Sequence, residues 1–517
     1  MSSSRALRYA GWAAIVLAPF VSVLIMGLTT GTSPLSLDAW NTNWNDELFY
    51  NRVIRQMHEV GEPTGVAGYN EIPAARPSYG TYSLFIYIPY YLGAFLTGWQ
   101  SHNFMYLMNA GFGVVASLAI ILILRPDVRK SFLYAGVILF QFVITRLQCS
   151  GMTEASYILF AALFGSCAVY AVLNSASNEK KALVATSIVV MIVACGFWGA
   201  MRPYILALML VVWLLLWRGD LALGKACKIG LAVLSVAVAF ASLFAYLYCS
   251  KYYAAPYFTG TTFGNTLFAE LGRALPSLAE KHVAWVMFSA SSILHVRRQG
   301  IMMLMFIMEW AFLIALFVKA CKLGNKTQGA LFLGLVLAGF AILEAHLLIY
   351  TYQQMHRTMI CICLVYLLVI VWYGGLLRRN GKPIAKMAFA AILSIACIGC
   401  LIVHADEFAY PQVGIDAAGD AALQEELAKI MPRADEPWDN TIAHAVETRD
   451  MYLLFNLPPY LNTNTIKSEV LTQKIKEGSF KSKYLCVADH FKAIKVLEKR
   501  YEKIYEGYGH TIYQLRS

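Results

Sequence analysis

The residues best suited to chemistry come early, in the run Trp44-Asn45-Asp46-Glu47-Leu48-Phe49-Tyr50, followed by Arg52-Val53-Ile54-Arg55-Gln56-Met57. Asp46 and Glu47 open what reads as a helix, and acids there suit the positive end of the helix dipole. The same pair can also act as a general base, because a carboxylate beside an acceptor hydroxyl can take its proton. Repulsion between the two neighbours would raise one pKa of the pair towards a useful range. Further along, Gly151-Met152-Thr153-Glu154 presents a second acid. Glu154 is either a helix-start acid or a group that orients an acceptor or shares a divalent cation with Asp46. Four cationic residues, Arg76, Arg202, His356 and Arg357, flank apolar stretches. A cation at that level can stabilise the charge on a departing phosphate. For Arg202 and Arg357, a side chain snorkelling from a helix end is the alternative. Glu309, Glu344 and His346 sit inside apolar stretches, where a charge is costly unless paired or facing a cavity.

What positions these groups is a membrane bundle. Hydrophobic residues make up 58% and charged residues 14% of the 517, against about 45–50% and about 25% in soluble domains. Stretches long enough to span, about 20 residues each, fall at 9–29, 104–124, 131–149, 153–173, 182–201, 203–217, 227–249, 300–320, 328–350, 357–377 and 384–404. A further apolar stretch, 82–99, is decided by charge. Basic clusters at Arg5/Arg8, Arg125/Arg129/Lys130, Lys180/Lys181, Arg218/Lys225/Lys228, Lys322/Lys326 and Arg378/Arg379/Lys382 belong on the cytoplasmic side. Neighbouring clusters on one side need an even number of crossings between them, so 82–99 does not cross. Its Tyr82, Tyr87, Tyr90, Tyr91 and Trp99 suit a helix lying in the interface.

The expected architecture is mainly α. A transmembrane module, 1–404, has about eleven spans and carries an outer loop at 30–103 with the acid pair. A small extracytoplasmic α/β domain follows at 405–517. The stretch 250–299 reads as a second large outer loop, and 491–505 as a lysine-rich helix between apolar runs at 451–457 and 484–488. On this topology Glu344 and His346 lie near the outer end of their helix and line a site there, whereas Glu309 lies mid-membrane as a structural polar contact. Most of the 11 cysteines lie in apolar stretches, without the paired spacing of a zinc site. They read as small packing residues. The net charge of +11 is explained by loops meeting anionic lipid, not by nucleic acid. Arg5 and Arg8 precede an apolar run with no small-residue cleavage site, which reads as a retained first helix.

The order of these features resembles the large membrane glycosyltransferases of the GT-C type, especially the aminoarabinose transferase and protein O-mannosyltransferase group. That group carries an acidic residue, often Asp-Glu, in the first outer loop, then an aromatic and a helix reading Arg-Glu-Met or similar. Here stand Asp46-Glu47, Tyr50 and Arg55-Gln56-Met57, then Gly61-Glu62. Arg76-Pro77 takes the place of the aminoarabinose transferases' Lys-Pro, followed by the interfacial stretch. Glu154 stands where the group has an acid opening the fourth span. His356-Arg357-Thr358 stands where it often has Arg-Tyr, without the tyrosine.

The resemblance implies a sugar moving from a polyprenyl phosphate to a glycan, lipid or protein acceptor at the outer face of a bacterial plasma membrane. Asp46, helped by Glu47, would be the base. Arg76, Arg202, His356 and Arg357 would meet the phosphate, Glu154, Glu344 and His346 would line the site, and Asp46 with Glu154 would hold any divalent ion. A transporter or flippase of a lipid-linked sugar is the competing reading; it expects midplane ionisable residues and a repeat, and no repeat is evident. A polymerase or ligase of O-antigen type would carry its large loop late in the chain.

Overall fold

A computed structural model describes residues 3–30, 39–42, 45–61, 67–69, 84–97, 104–141, 144, 147–148, 150–250, 267–295, 298–349, 355–377, 413–436, 438–445, 453, 456–488 and 500–516. In order, the helices are α1 (Ser3–Thr30), α2 (Asn45–Val60), α3 (Leu84–Thr97), α4 (Phe104–Leu124), α5 (Val128–Phe140), α6 (Tyr157–Leu173), α7 (Lys181–Met201), α8 (Met209–Arg218), α9 (Lys225–Ser250) and α10 (Leu267–Leu294). They continue with α11 (Arg298–Lys322), α12 (Lys326–Ile349), α13 (Met355–Tyr373), α14 (Ala417–Ile430) and α15 (Ser468–Glu477). The strands are β1 (Ala39–Thr42), β2 (Ala67–Tyr69), β3 (Val413–Asp416), β4 (Thr441–Ala445), β5 (Asn462–Ile466), β6 (Tyr484–Ala488), β7 (Tyr501–Gly507) and β8 (His510–Leu515).

Among the described residues, six helices are long and apolar enough to cross a bilayer: Phe104–Leu124, Thr153–Leu173, Asn178–Met201, Lys225–Leu247, Met303–Lys322 and Lys326–Leu348. The chain is a multi-pass membrane protein. A helix can cross because it satisfies its own backbone polar groups. Large apolar side chains that stay exposed on these helices, such as Leu122, Val233, Phe240 and Phe244, are in place to meet lipid tails. Helix α6 is the most enclosed, packed by α4, α7 and α13. Gly165 lets α13 come close, since a Cβ there would stand 2.8 Å from Leu368 Cδ1.

Several expectations are corrected. The span at 131–149 is the shorter α5, ending at Phe140. The stretch 250–299 is not simply a loop: its second half is α10, 28 residues long, packed on α11 and α12. Residues 501–505 belong to strand β7, not to a lysine-rich helix. The expected span at 384–404 lies outside the described residues. Helix α3 has 14 residues, about 21 Å at 1.5 Å each, short of the roughly 30 Å hydrocarbon core. It matches the non-crossing helix expected at 82–99.

The bundle has two different ends. At one, the basic turns are tied together: an Arg8 Nη2 donates to the Arg125 carbonyl (3.2 Å), the Ala222 N–H to the Ser175 carbonyl (2.7 Å), and the Asp220 N–H to Thr327 Oγ1 (2.9 Å). At the other end sits a body built from residues far apart in sequence. Its sheet runs β2-β5-β4-β6-β8-β7, with β2, β5, β4 and β6 parallel and β8 and β7 antiparallel. Leu423, Leu427, Leu453, Leu457 and Leu461 cover one face, reached also by Tyr106 of α4. Leu471, Ile475 and Phe480 cover the other. Gly478, at φ 71°, ends α15 in the left-handed conformation that glycine adopts freely. Strand β2 therefore joins the early chain to the late sheet, and β1 pairs antiparallel with β3 in the same way.

Candidate active site

Asp46 and Glu47 occupy the first turn of α2, and the rest of that helix explains how the turn is held. Tyr50, Val53, Ile54 and Met57 are all buried and belong to the bundle's core. Each such side chain contributes on the order of 1.5–3 kcal/mol. The opposite face is polar at helical spacing, and it too is covered. Arg52, 4% exposed, donates from Nη1 to the Leu457 carbonyl (2.8 Å) and from Nη2 to the carbonyls of Leu461 (3.0 Å) and Pro458 (3.4 Å). Gln56 Nε2 donates to the same Leu461 carbonyl (2.8 Å), and an Arg55 Nη2 to Gln424 Oε1 (2.6 Å). Glu59 pairs with Arg433 at 3.4 Å. Burial, then the nearby Arg55 charge, lower the Arg52 pKa to about 9, so the group remains a cation at neutral pH. Helix α2 is thus clamped between the bundle and the C-terminal body.

A continuous chain of contacts leads from α2 into the bundle. The Tyr50 and Tyr87 rings meet edge-on at 6.2 Å, joining α2 to α3. One turn on, the Tyr90 hydroxyl donates to Asn109 Oδ1 (2.6 Å) and lies 3.2 Å from the Thr153 carbonyl. Burial, and then the charge of Glu154, raise the Tyr90 pKa well above the usual phenol value, so it acts as a neutral donor. Asn109 Nδ2 donates to the carbonyls of Ser150 (2.5 Å) and Met152 (2.9 Å). These bonds fix the turn before the 3-10 segment Thr153–Ser156 and aim Glu154. Glu154 forms an ion pair with Arg202 at 3.5 Å, with side chains 3% and 10% exposed. Arg202 Nε also donates to the Tyr157 hydroxyl (2.9 Å). Next to Arg202, Tyr204 meets His346 edge-on at 5.9 Å.

The structure therefore brings Glu154, Arg202 and His346 into one buried polar path at the end of the bundle that carries α2. Glu344 departs from it. Two positions along α12 are about half a turn apart, so Glu344 and His346 point to opposite sides, and Glu344 turns to His282 of α10, 2.9 Å away. His356 and Arg357 lie in the first turn of α13, while Arg76 lies outside the described residues. Glu309 is 2% exposed between α11 and its neighbours. No group of three His, Cys, Asp or Glu gathers among the described residues. Glu154 is paired with a guanidinium at 3.5 Å, and the side chain of Asp46, the other expected ligand, lies outside the described residues. Three residues the sequence reading passed over matter most: Arg52, Asn109 and Tyr157. Only Arg52 left a signal, as one corner of the 52-55-56-59 polar stripe.

The spanning helices, the clamped helix α2 that precedes them, and the α/β body at the same end have the fold of the GT-C membrane glycosyltransferases, as the resemblance of the residues led one to expect. Solved structures share it, two of which follow. One is the archaeal oligosaccharyltransferase AglB from Archaeoglobus fulgidus, in complex with an inhibitory peptide and a dolichol-phosphate (TM-score 0.53, 14% identity, 98% of this chain and 74% of that one). The other is ArnT from Cupriavidus metallidurans in the apo state (TM-score 0.52, 12% identity, 98% of each chain). No protein-family profile matches the chain, and no curated protein sequence does.

Proposed function

We propose that this protein transfers a sugar from a polyprenyl-phosphate donor to an acceptor on the non-cytoplasmic face of a plasma membrane, with Asp46 as general base and Glu47 beside it. The observation that carries this reading is the placement of the acid pair. It opens a helix held on both faces, in a GT-C-like fold whose bundle also buries the Glu154–Arg202 pair and the Tyr204–His346 contact. The archaeal structure with this fold holds a dolichol-phosphate, which supports a lipid phosphate as the carrier.

In the reaction, Asp46 takes the proton of an acceptor hydroxyl as its oxygen attacks the anomeric carbon. The new C–O bond forms while the bond from that carbon to the phosphate oxygen breaks, with inversion. The polyprenyl phosphate leaves carrying its electron pair. Arg76, His356 and Arg357 are assigned to that developing charge. Arg202, through its pairing with Glu154, contributes from behind. His346 lines the site, and Glu344 of α12 sits at its margin, paired with His282 of α10. The orientation follows from the charge segregation: the basic turns face the cytoplasm, with the N-terminus among them, and the C-terminal body faces outward.

The test uses purified protein and radiolabelled lipid-linked sugars from the expressing host's membranes. Asp46→Asn keeps the shape and removes the base, so turnover should fall by about 10²–10⁴-fold while undecaprenyl phosphate still binds. Near wild-type turnover would reduce Asp46 to a helix-start acid and overturn the mechanism.

A further inference from the structure

We propose that Arg52 is a positioning residue: by holding α2 to the C-terminal body, it sets where Asp46 stands relative to the bundle. The inference rests on the reading of Asp46 as the base.

Energetics suggest the role. The apolar face of α2, with Tyr50, Val53, Ile54 and Met57 buried, already supplies the burial that holds a helix in place. A buried guanidinium adds little net stability, because the cost of its desolvation offsets the hydrogen bonds it makes. What such a group supplies is direction. Arg52 is planar and rigid at its tip, and its three acceptors are backbone carbonyls of one turn, Leu457, Pro458 and Leu461. Carbonyls of a folded turn cannot rotate away as carboxylates can. Apolar packing tolerates a slide along the helix axis; this fork does not. Gln56 repeats the contact one turn later on Leu461, and the Glu59–Arg433 pair repeats it again near the end of α2. The helix is thereby fixed in translation and in rotation, and its first turn carries the acids.

The experiment uses the full chain in detergent, with undecaprenyl phosphate as the binding probe and host-derived radiolabelled lipid-linked sugars as the transfer probe. Arg52→Met preserves bulk but takes a donor from three carbonyls, so the thermal midpoint should fall modestly while undecaprenyl phosphate affinity stays near wild type. Turnover should fall by about 10–100-fold, the cost of a misplacement of around 1 Å, and Arg52→Lys should recover part of it. If Arg52 acts through Asp46, then Arg52→Met added to Asp46→Asn should cost nothing further. Should Arg52→Met fail to fold, Gln56→Ala carries the same test with a smaller loss. Wild-type turnover in the folded Arg52 or Gln56 variant, or a double variant slower than Asp46→Asn by the full factor of Arg52→Met, overturns the positioning role. An active Asp46→Asn protein, or a wild-type protein that transfers nothing, overturns the functional reading instead.

Discussion

Arg202 and Glu154 show how much a single pairing decides at the residue scale. Both side chains are nearly dry, so their ion pair offsets part of the cost of burying each charge. Removing one partner of such a pair costs about 3–5 kcal/mol, while replacing both with apolar groups is often neutral. Arg202→Met should therefore lower the thermal unfolding midpoint strongly in detergent. Adding Glu154→Leu should recover more than half of the loss. Equal midpoints for the single and double variants would show that the two residues are not energetically coupled. The sequence exposed both residues as charges at helix ends, yet not their partnership: one opens α6 through its 3-10 turn and the other closes α7. Only the packing of those two helices brings them together.

At the scale of elements, α10 is the instructive case. The sequence reading has it within a large outer loop, and Pro276, Glu280 and Lys281 interrupt its apolar run. Those same residues suit a helix lying against the ends of others: Lys281 Nζ donates to the Leu348 carbonyl (3.3 Å), and His282 pairs with Glu344. The hydrogen bond from Glu344, and then the Leu278 carbonyl, raise the His282 pKa above its ordinary value. A raised folded-state value means the contact is fully in force below about pH 6.5 and is lost as pH climbs through the folded pKa. Hydrogen exchange in the middle of α10, corrected for intrinsic rates, should thus accelerate as pH rises from about 6.5 through the raised folded pKa of His282. His282→Gln should flatten that dependence; an unchanged slope would remove the ion pair as its cause. The long apolar helices were legible because twenty uncharged residues admit little else. The three residues of β2, Ala67-Gly68-Tyr69, carry no pattern, and they become a strand only because β5 offers an edge.

For the whole molecule, the segregation of its ends makes the firmest forecast. With native cysteines removed, Ser479→Cys on the body and Glu59→Cys on α2 should react with an impermeant maleimide from the same side of intact vesicles. Lys180→Cys should react from the opposite side. These positions are exposed, so silence would not be due to burial. Labelling of positions 59 and 479 from opposite faces would contradict the strand pairings as well as the charge rule. The parity argument anticipated that the early loop and the late domain share a side. It could not anticipate that they share a sheet, because pairing across such a separation leaves no local trace.

That shared construction has a consequence in time. Arg52 and the turn that receives it are 405 residues apart in the chain. At synthesis rates of about 5–20 residues per second, roughly 20–80 s pass between the emergence of one and of the other. Through that interval the acid-bearing helix is on its own side of the membrane with half its surface uncovered. A ribosome that stalls, or a message cut short, leaves a bundle already threaded through the lipid but lacking the turn that orients its acids. Such a fragment would be inserted yet idle, and its bare polar stripe would mark it for the cell's proteases.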